Sequence, residues 1–264
     1  TLENCIELAL GNNPQISAAF QEILASDSRI KQVWSNYFPQ FSWQTGYTRL
    51  RQLQLSDALG QNLIFNYYIL GQVTLQQMLY DFGVTQNQAT IRRLDYEGSK
   101  VSLTAVINDV IFKTKDAYYK LLYAYEEKRV AQDTVDKFEL FYNQAKAFYE
   151  IGMNPKVDVT IAESNLSNAK LKLIQADNNV NLAIASLNNV MGVPFIEKYN
   201  VLDRLQYQPI NVTFNDVVDI ARDSRPELKL AEIKVETAHQ TLNLVKKSYF
   251  PTFSIEGQVQ VGGK

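Results

Sequence analysis

The sequence predicts a mainly α-helical protein with transmembrane β-strands, in which a long antiparallel helical hairpin is joined to strands of a membrane sheet. Three observations predict this. Between residues 84 and 150 there is no proline and a single glycine, Gly98. Three other segments alternate with the period of two that marks a strand. The stretch that opens the chain returns near its end and leads into the third of those segments.

The return is an internal repeat, and repeats decide organisation before anything else. Residues 1–42 align with 213–254 without a gap. Thr1 meets Thr213, Ala9 meets Ala221, Pro14 meets Pro226 and Val33 meets Val245. Tyr37-Phe38-Pro39 meets Tyr249-Phe250-Pro251, and Phe41-Ser42 meets Phe253-Ser254. The first repeat therefore covers 1–212, and 213–264 is the start of a second. A protein built from two such units is nearly twice this length.

Each unit opens with a helix pair, expected over 1–37 and 213–248. Thr1 and Thr213 can cap the first helix, and Asp216 completes a capping box after Thr213. Pro14 and Pro226 suit the first turn of the second helix, where a missing N–H costs nothing. Pro39 and Pro251 stop it.

Strands are expected at about 41–50, 66–78 and 252–261. Phe41, Trp43, Thr45 and Tyr47 share one face of the first, opposite Ser42, Gln44, Gly46 and Thr48. Tyr67, Ile69, Gly71, Val73 and Leu75 share a face of the second. In the third, Phe253, Ile255, Gly257, Val259 and Val261 oppose Ser254, Glu256, Gln258 and Gln260. A half-buried strand of a soluble sheet alternates in the same way. Strand length, aromatics near the ends and small or polar partners suit a membrane barrel with a wet lumen. On that reading Phe41, Trp43, Tyr47, Tyr67, Ile69, Val73, Phe253, Ile255 and Val259 face lipid, and the segment 51–66 is an outer loop.

The hairpin is expected over 84–191, followed by a linker at 195–212. Its outgoing helix runs for about 100 Å at roughly 1.5 Å per residue. It breaks at Gly152-Met153-Asn154-Pro155, where Asn154 can cap and Pro155 can open the return. Gly192 and Pro194 stop the return. The returning helix carries a 3–4 apolar repeat with Ala162, Ala169, Ala176 and Ala183 at every seventh position. The outgoing helix matches it loosely through Ala117, Leu121, Ala124, Lys128, Ala131, Val135, Phe138, Tyr142, Ala145 and Tyr149. Such spacing suits coiled-coil packing. One hairpin cannot bury those seams along its whole length, so further helices are expected to join, in a hollow helical barrel or a plain coiled coil.

The parts in this order resemble the outer membrane factor, or TolC-like, family. The resemblance is carried by Asn13-Pro14, Tyr37-Phe38-Pro39, Leu79-Tyr80-Asp81-Phe82-Gly83, Ile151-Gly152-Met153, Asp158-Val159, Ala162-Glu163, Ala169 and Met191-Gly192-Val193-Pro194. It implies a homotrimer in the bacterial outer membrane, sharing one β-barrel and extending a helical barrel through the periplasm. It also implies partners: a periplasmic adaptor (membrane fusion protein), an inner-membrane pump and outer-membrane lipid. The function implied is a passive exit duct for efflux or type I secretion. Ile151, Gly152 and Met153 match the adaptor-docking tip of the family. Asp158 matches a carboxylate that helps hold the entrance shut.

Other classes find little support. The net charge of −2 and pI near 5.6 argue against nucleic acid as a partner. Asp81-Phe82-Gly83 spells a kinase-like tripeptide without the remaining kinase motifs. His239, the single histidine, has no ligand at metal spacing. Glu126-Glu127-Lys128-Arg129 reads as a solvated helix face. Cys5 reads as a small core residue, and one cysteine forms no internal disulfide. No enzyme, metal or cofactor is expected. The alternative class is a soluble coiled-coil scaffold or adaptor, which leaves the repeated strands unexplained.

Overall fold

The computed structural model describes residues 1–55, 62–194, 209 and 213–263, and for 50–55 and 62–67 the backbone only. The elements in order are α1 (Leu2–Asn12), α2 (Pro14–Trp34), a 3-10 turn (Ser35–Tyr37), β1 (Gln40–Leu55), β2 (Asn62–Tyr80), α3 (Val84–Glu150), α4 (Lys156–Met191), α5 (Phe214–Ser224), α6 (Pro226–Lys247) and β3 (Phe253–Gly263). The fold is mainly helical, with one sheet of order β1-β2-β3. α1, α2 and β1 recur at the repeat offset as α5, α6 and β3. The expected linker at 195–212 lies outside the described residues, Pro209 excepted.

Two compact units do not follow the repeat. One joins 1–21 to 102–226, the other 22–101 to 227–264. In the first unit α1 packs on α4, and Cys5 and Ala9 join Val110, Leu121, Ile184, Leu187 and Met191 in one core. Small residues on α1 let the helices approach closely. The Asn13 amide donates to the Val190 carbonyl (2.7 Å), while its carbonyl oxygen accepts from the Gln15 N–H (2.8 Å) and so caps α2. Gly192 ends α4 in the left-handed region (φ 65°), and a Cβ there would sit 2.6 Å from the Asn12 carbonyl oxygen. Two motifs far apart in sequence, Asn13-Pro14 and Met191-Gly192-Val193, thereby meet.

Farther along the hairpin the apolar repeat forms a smaller cluster of Val135, Leu166 and Ala169, flanked by Phe138, Tyr142 and Leu173. Lys128 occupies a seam position and pairs with Asp177 across the hairpin. Both side chains of that pair stay about half exposed, and the Glu126–Arg129 pair beside it is solvated as expected. Past Ala145 the half-buried position is Phe148, while the expected Tyr149 is exposed. The outer surfaces of both helices keep Phe112, Leu140, Ile174 and Leu182 exposed.

In the second unit β2 turns into α3 through Asp81-Phe82-Gly83. Phe82 and Gly83 both take positive φ, 53° and 79°. A phenylalanine there is strained by about 1 kcal/mol or more. What holds it is a set of ring contacts: Phe250 stacks on Phe82 at 5.4 Å, and Tyr80 meets it edge-on at 4.7 Å. Asp81 is buried and caps α3. Its carboxylate accepts from the Thr85 N–H (2.6 Å), the Gly83 N–H (3.0 Å) and the Tyr37 hydroxyl (3.1 Å). Lys247 donates to the Gly83 carbonyl and the Asn87 side chain.

An amphipathic sheet and an exposed hairpin tip as candidate functional sites

All three strands pair antiparallel, and the register shows what each face carries. Trp43, Val73 and Val259 lie side by side in one row, and Phe41 and Leu75 pair in the next. On the opposite face the matching rows are Gln44, Gln72 and Gln260, then Ser42, Thr74 and Gln258. Gln260 donates to Gln72 across the strands at 3.3 Å. The sheet therefore has one apolar face and one of carboxamides and hydroxyls.

Among the described residues no helix covers the apolar face, whose side chains stand largely exposed. Phe41 and Trp43 are 75% and 79% exposed. Phe253, Ile255 and Val259 are exposed beside them, and Val73 shares their face in β2, whereas Ile69 lies beyond the register shift that precedes Gly71. Tyr67 pairs with Leu50 at backbone level, and its side chain is outside the described residues.

Tyr47 lies where the pairing of β1 with β2 slips. The register slips between Thr45 and Thr48, so Gly46 and Tyr47 form a bulge with one extra residue on β1. Tyr47 stacks on Tyr68 at 6.1 Å. Tyr68 pairs with Gly263, where a Cβ would meet its ring and hydroxyl, and the β2–β3 register slips just beyond, between Ile69 and Gly71. The strands are longer than expected. Residues 51–55 belong to β1 and 62–66 to β2, which removes them from the expected loop. Residues 56–61 lie outside the described residues.

At the far end of the hairpin, α3 closes with a Schellman motif. The Gly152 N–H donates to the Tyr149 carbonyl (2.9 Å) and the Met153 N–H to the Phe148 carbonyl (2.8 Å). Gly152 takes φ 78°, with nothing within 4 Å of where a Cβ would stand. Glycine is required here by backbone conformation and not by crowding. Ile151 and Met153 flank it, 67% and 70% exposed. The cap of α4 is Pro155, without a side-chain cap bond, in place of the expected Asn154. Asp158 sits half-buried in the first turn of α4. It forms no ion pair among the described residues.

Sequence reasoning missed the capping role of Asp81. The signal was present, an aspartate just ahead of a helical stretch, but its tripeptide was weighed as a kinase motif. Burial pushes the Asp81 carboxyl up. Hydrogen bonds from Thr85 side chain and backbone, from Gly83 and from Tyr37 outweigh burial and hold it below the usual carboxylate range. No group of metal-ligating side chains occurs among the described residues. No described helix is long and apolar enough to cross a membrane.

Solved outer-membrane channels share this arrangement. The chain superposes on CusC with a TM-score of 0.72 at 16% identity, covering 99% of this chain and 60% of that one. For the Campylobacter jejuni CmeC channel the values are 0.71, 17%, 99% and 60%. In sequence it is 23% identical to the protein CyaE of Bordetella pertussis over 257 residues, 96% of this chain and 53% of that protein. It is 21% identical to the outer membrane protein TolC of Vibrio cholerae over 275 residues, 98% of this chain and 58% of that protein. The chain thus spans about half the length of the relatives it matches. The profile of the outer membrane efflux proteins matches residues 5–193, and with the fold and the repeat in agreement the chain belongs to the outer membrane efflux protein family.

Proposed function

We propose that the protein is the outer-membrane exit duct of a tripartite efflux or type I secretion system, conducting substrates passively from an inner-membrane pump and periplasmic adaptor to the exterior. The observation that carries this is the uncovered apolar face of the sheet. Leaving Phe41, Trp43, Val73 and Val259 in water costs about 1.5–3 kcal/mol per side chain. A bilayer removes that cost, and the carboxamide face then lines an aqueous lumen. A soluble scaffold leaves the same face in water.

The free edges of β1 and β3 support a shared barrel. Unpaired strand edges are not tolerated in lipid, and single-chain outer-membrane barrels need about eight strands or more. The three described strands close a barrel only with others, in keeping with a homotrimer. The exposed apolar surfaces of α3 and α4 fit the wall of a helical barrel. The tip of Ile151, Gly152 and Met153 is the adaptor-docking candidate, since it offers apolar side chains on a turn open to close approach. Asp158, one turn into α4, is the entrance-gating candidate.

Tryptophan fluorescence tests the reading. In a variant whose other tryptophans, Trp34 among them, are replaced by phenylalanine, Trp43 is the single reporter. A brominated phospholipid should quench it strongly in reconstituted protein. Quenching by aqueous iodide alone, with no effect of the lipid quencher, would refute the membrane sheet.

A further inference from the structure

We infer that the cavity between the last turns of α2 and the third turn of α3 is a phosphate-group site, filled by an anionic phospholipid headgroup. The inference rests on the membrane reading of the sheet. The cavity, about 470 Å³, is lined by Arg29, Gln32, Val33, Asn36 and Arg92. Two guanidinium groups and two side-chain amides converge on it, and no carboxylate lines it. Arg29 donates one N–H to Glu22 at 2.6 Å and Arg92 one to Asp95 at 3.1 Å. Each guanidinium carries five donors in a planar fork, so donors remain for the oxygens of a phosphate. Both arginine side chains are about half exposed and open to a ligand.

Position selects the lipid source. α2 ends at Trp34, Asn36 lies in the turn that follows, and β1 begins at Gln40. Arg29 is about 8 Å of helix below the end of α2, at about 1.5 Å per residue. The headgroup layer extends roughly 5–7 Å beyond the hydrocarbon on each side. Trp34, Tyr37, Phe38 and Phe41 cluster along the short junction of α2 with β1, as aromatic residues do at a bilayer surface. The cavity therefore begins where phosphates lie.

The test uses the protein purified from outer membranes in mild detergent and exchanged into phosphatidylglycerol. Native mass spectrometry then reads the lipid retained. Arg29→Gln with Arg92→Gln should lose retention about fivefold or more, since charge-assisted contacts are the strong ones. Glu22→Gln with Asp95→Asn breaks the same two ion pairs but keeps the arginines, and should retain at least as much lipid as the parent. Arg29→Lys with Arg92→Lys should hold intermediate amounts, which keeps the test open if the glutamine variant misfolds. Equal retention by all variants overturns the headgroup assignment. If inorganic phosphate then raises the melting temperature of the parent alone, the site belongs to free phosphate and the lipid assignment fails. Failure of the sheet to enter membranes at all is a separate result, read from the Trp43 quenching.

Discussion

Asp81 shows how a single carboxylate joins a strand to a helix. It is buried, caps α3 through Gly83 and Thr85, and accepts from Tyr37 at the start of the strand region. Asp81→Ala should lower stability by about 1–2 kcal/mol, the usual range for a lost cap with stranded buried donors. The pH dependence follows from the depressed carboxyl. Its unfolded value is about 3.9 and its folded value lies lower. The stabilisation is therefore complete above about pH 4 and is lost as pH falls through the folded value. Denaturation of parent and variant from pH 3 to 7 should show a constant gap that narrows only at the acid end. At the tip, Gly152→Asp forces a side chain onto a backbone at φ 78° and puts a charge between Ile151 and Met153. Aspartate tolerates that region better than most residues. Trimers should still form, while drug susceptibility or secretion assays show weakened export. Unchanged export would argue against docking at this turn.

Within the hairpin the question is which contacts hold α3 to α4. Lys128 and Asp177 form the visible link, yet both are roughly half exposed. Such pairs are worth about 0–1 kcal/mol. Leu187 is buried in the core with Ile184 and Met191. Lys128→Ala should change stability by less than about 1 kcal/mol, whereas Leu187→Ala should cost about 2–5 kcal/mol. Chemical denaturation followed by helical circular dichroism compares them. A larger loss for Lys128→Ala would mean that charge, and not the apolar seam, sets the hairpin. The sheet carries a bulge at Gly46 and Tyr47, with one extra residue on β1, and the backbone pairing of β1 with β2 resumes beyond it.

At the scale of the whole molecule the two faces of the sheet should respond oppositely to charge. Trp43→Arg places a cation on the apolar face, at about 2–4 kcal/mol near the bilayer midplane and less toward its surface. Gln44→Arg, one residue on, places it on the carboxamide face. The first should reduce heat-resistant oligomers in the outer-membrane fraction, and the second should leave them near parental levels. Equal loss in both variants would contradict the assignment of the two faces.

The long hairpin, its Gly152 and Gly192 breaks, and the paired units were legible in the sequence because they rest on local chemistry. Absence of proline, left-handed glycines and heptad alanines act within a few residues, wherever the chain goes. The amphipathic strands were legible for the same reason, up to the point where register matters. Residues 51–55 and 62–66 were given to a loop, because a strand end is settled by the partner strand. The cap by Asp81, the strained Phe82 and the Asn13 link to Val190 stayed hidden because each needs groups brought together from distant sequence. Periodicity by itself determined the elements and their order. Only the tertiary structure decided register, close approach and which buried polar groups find partners, since those energies exist only once the chain has folded back on itself.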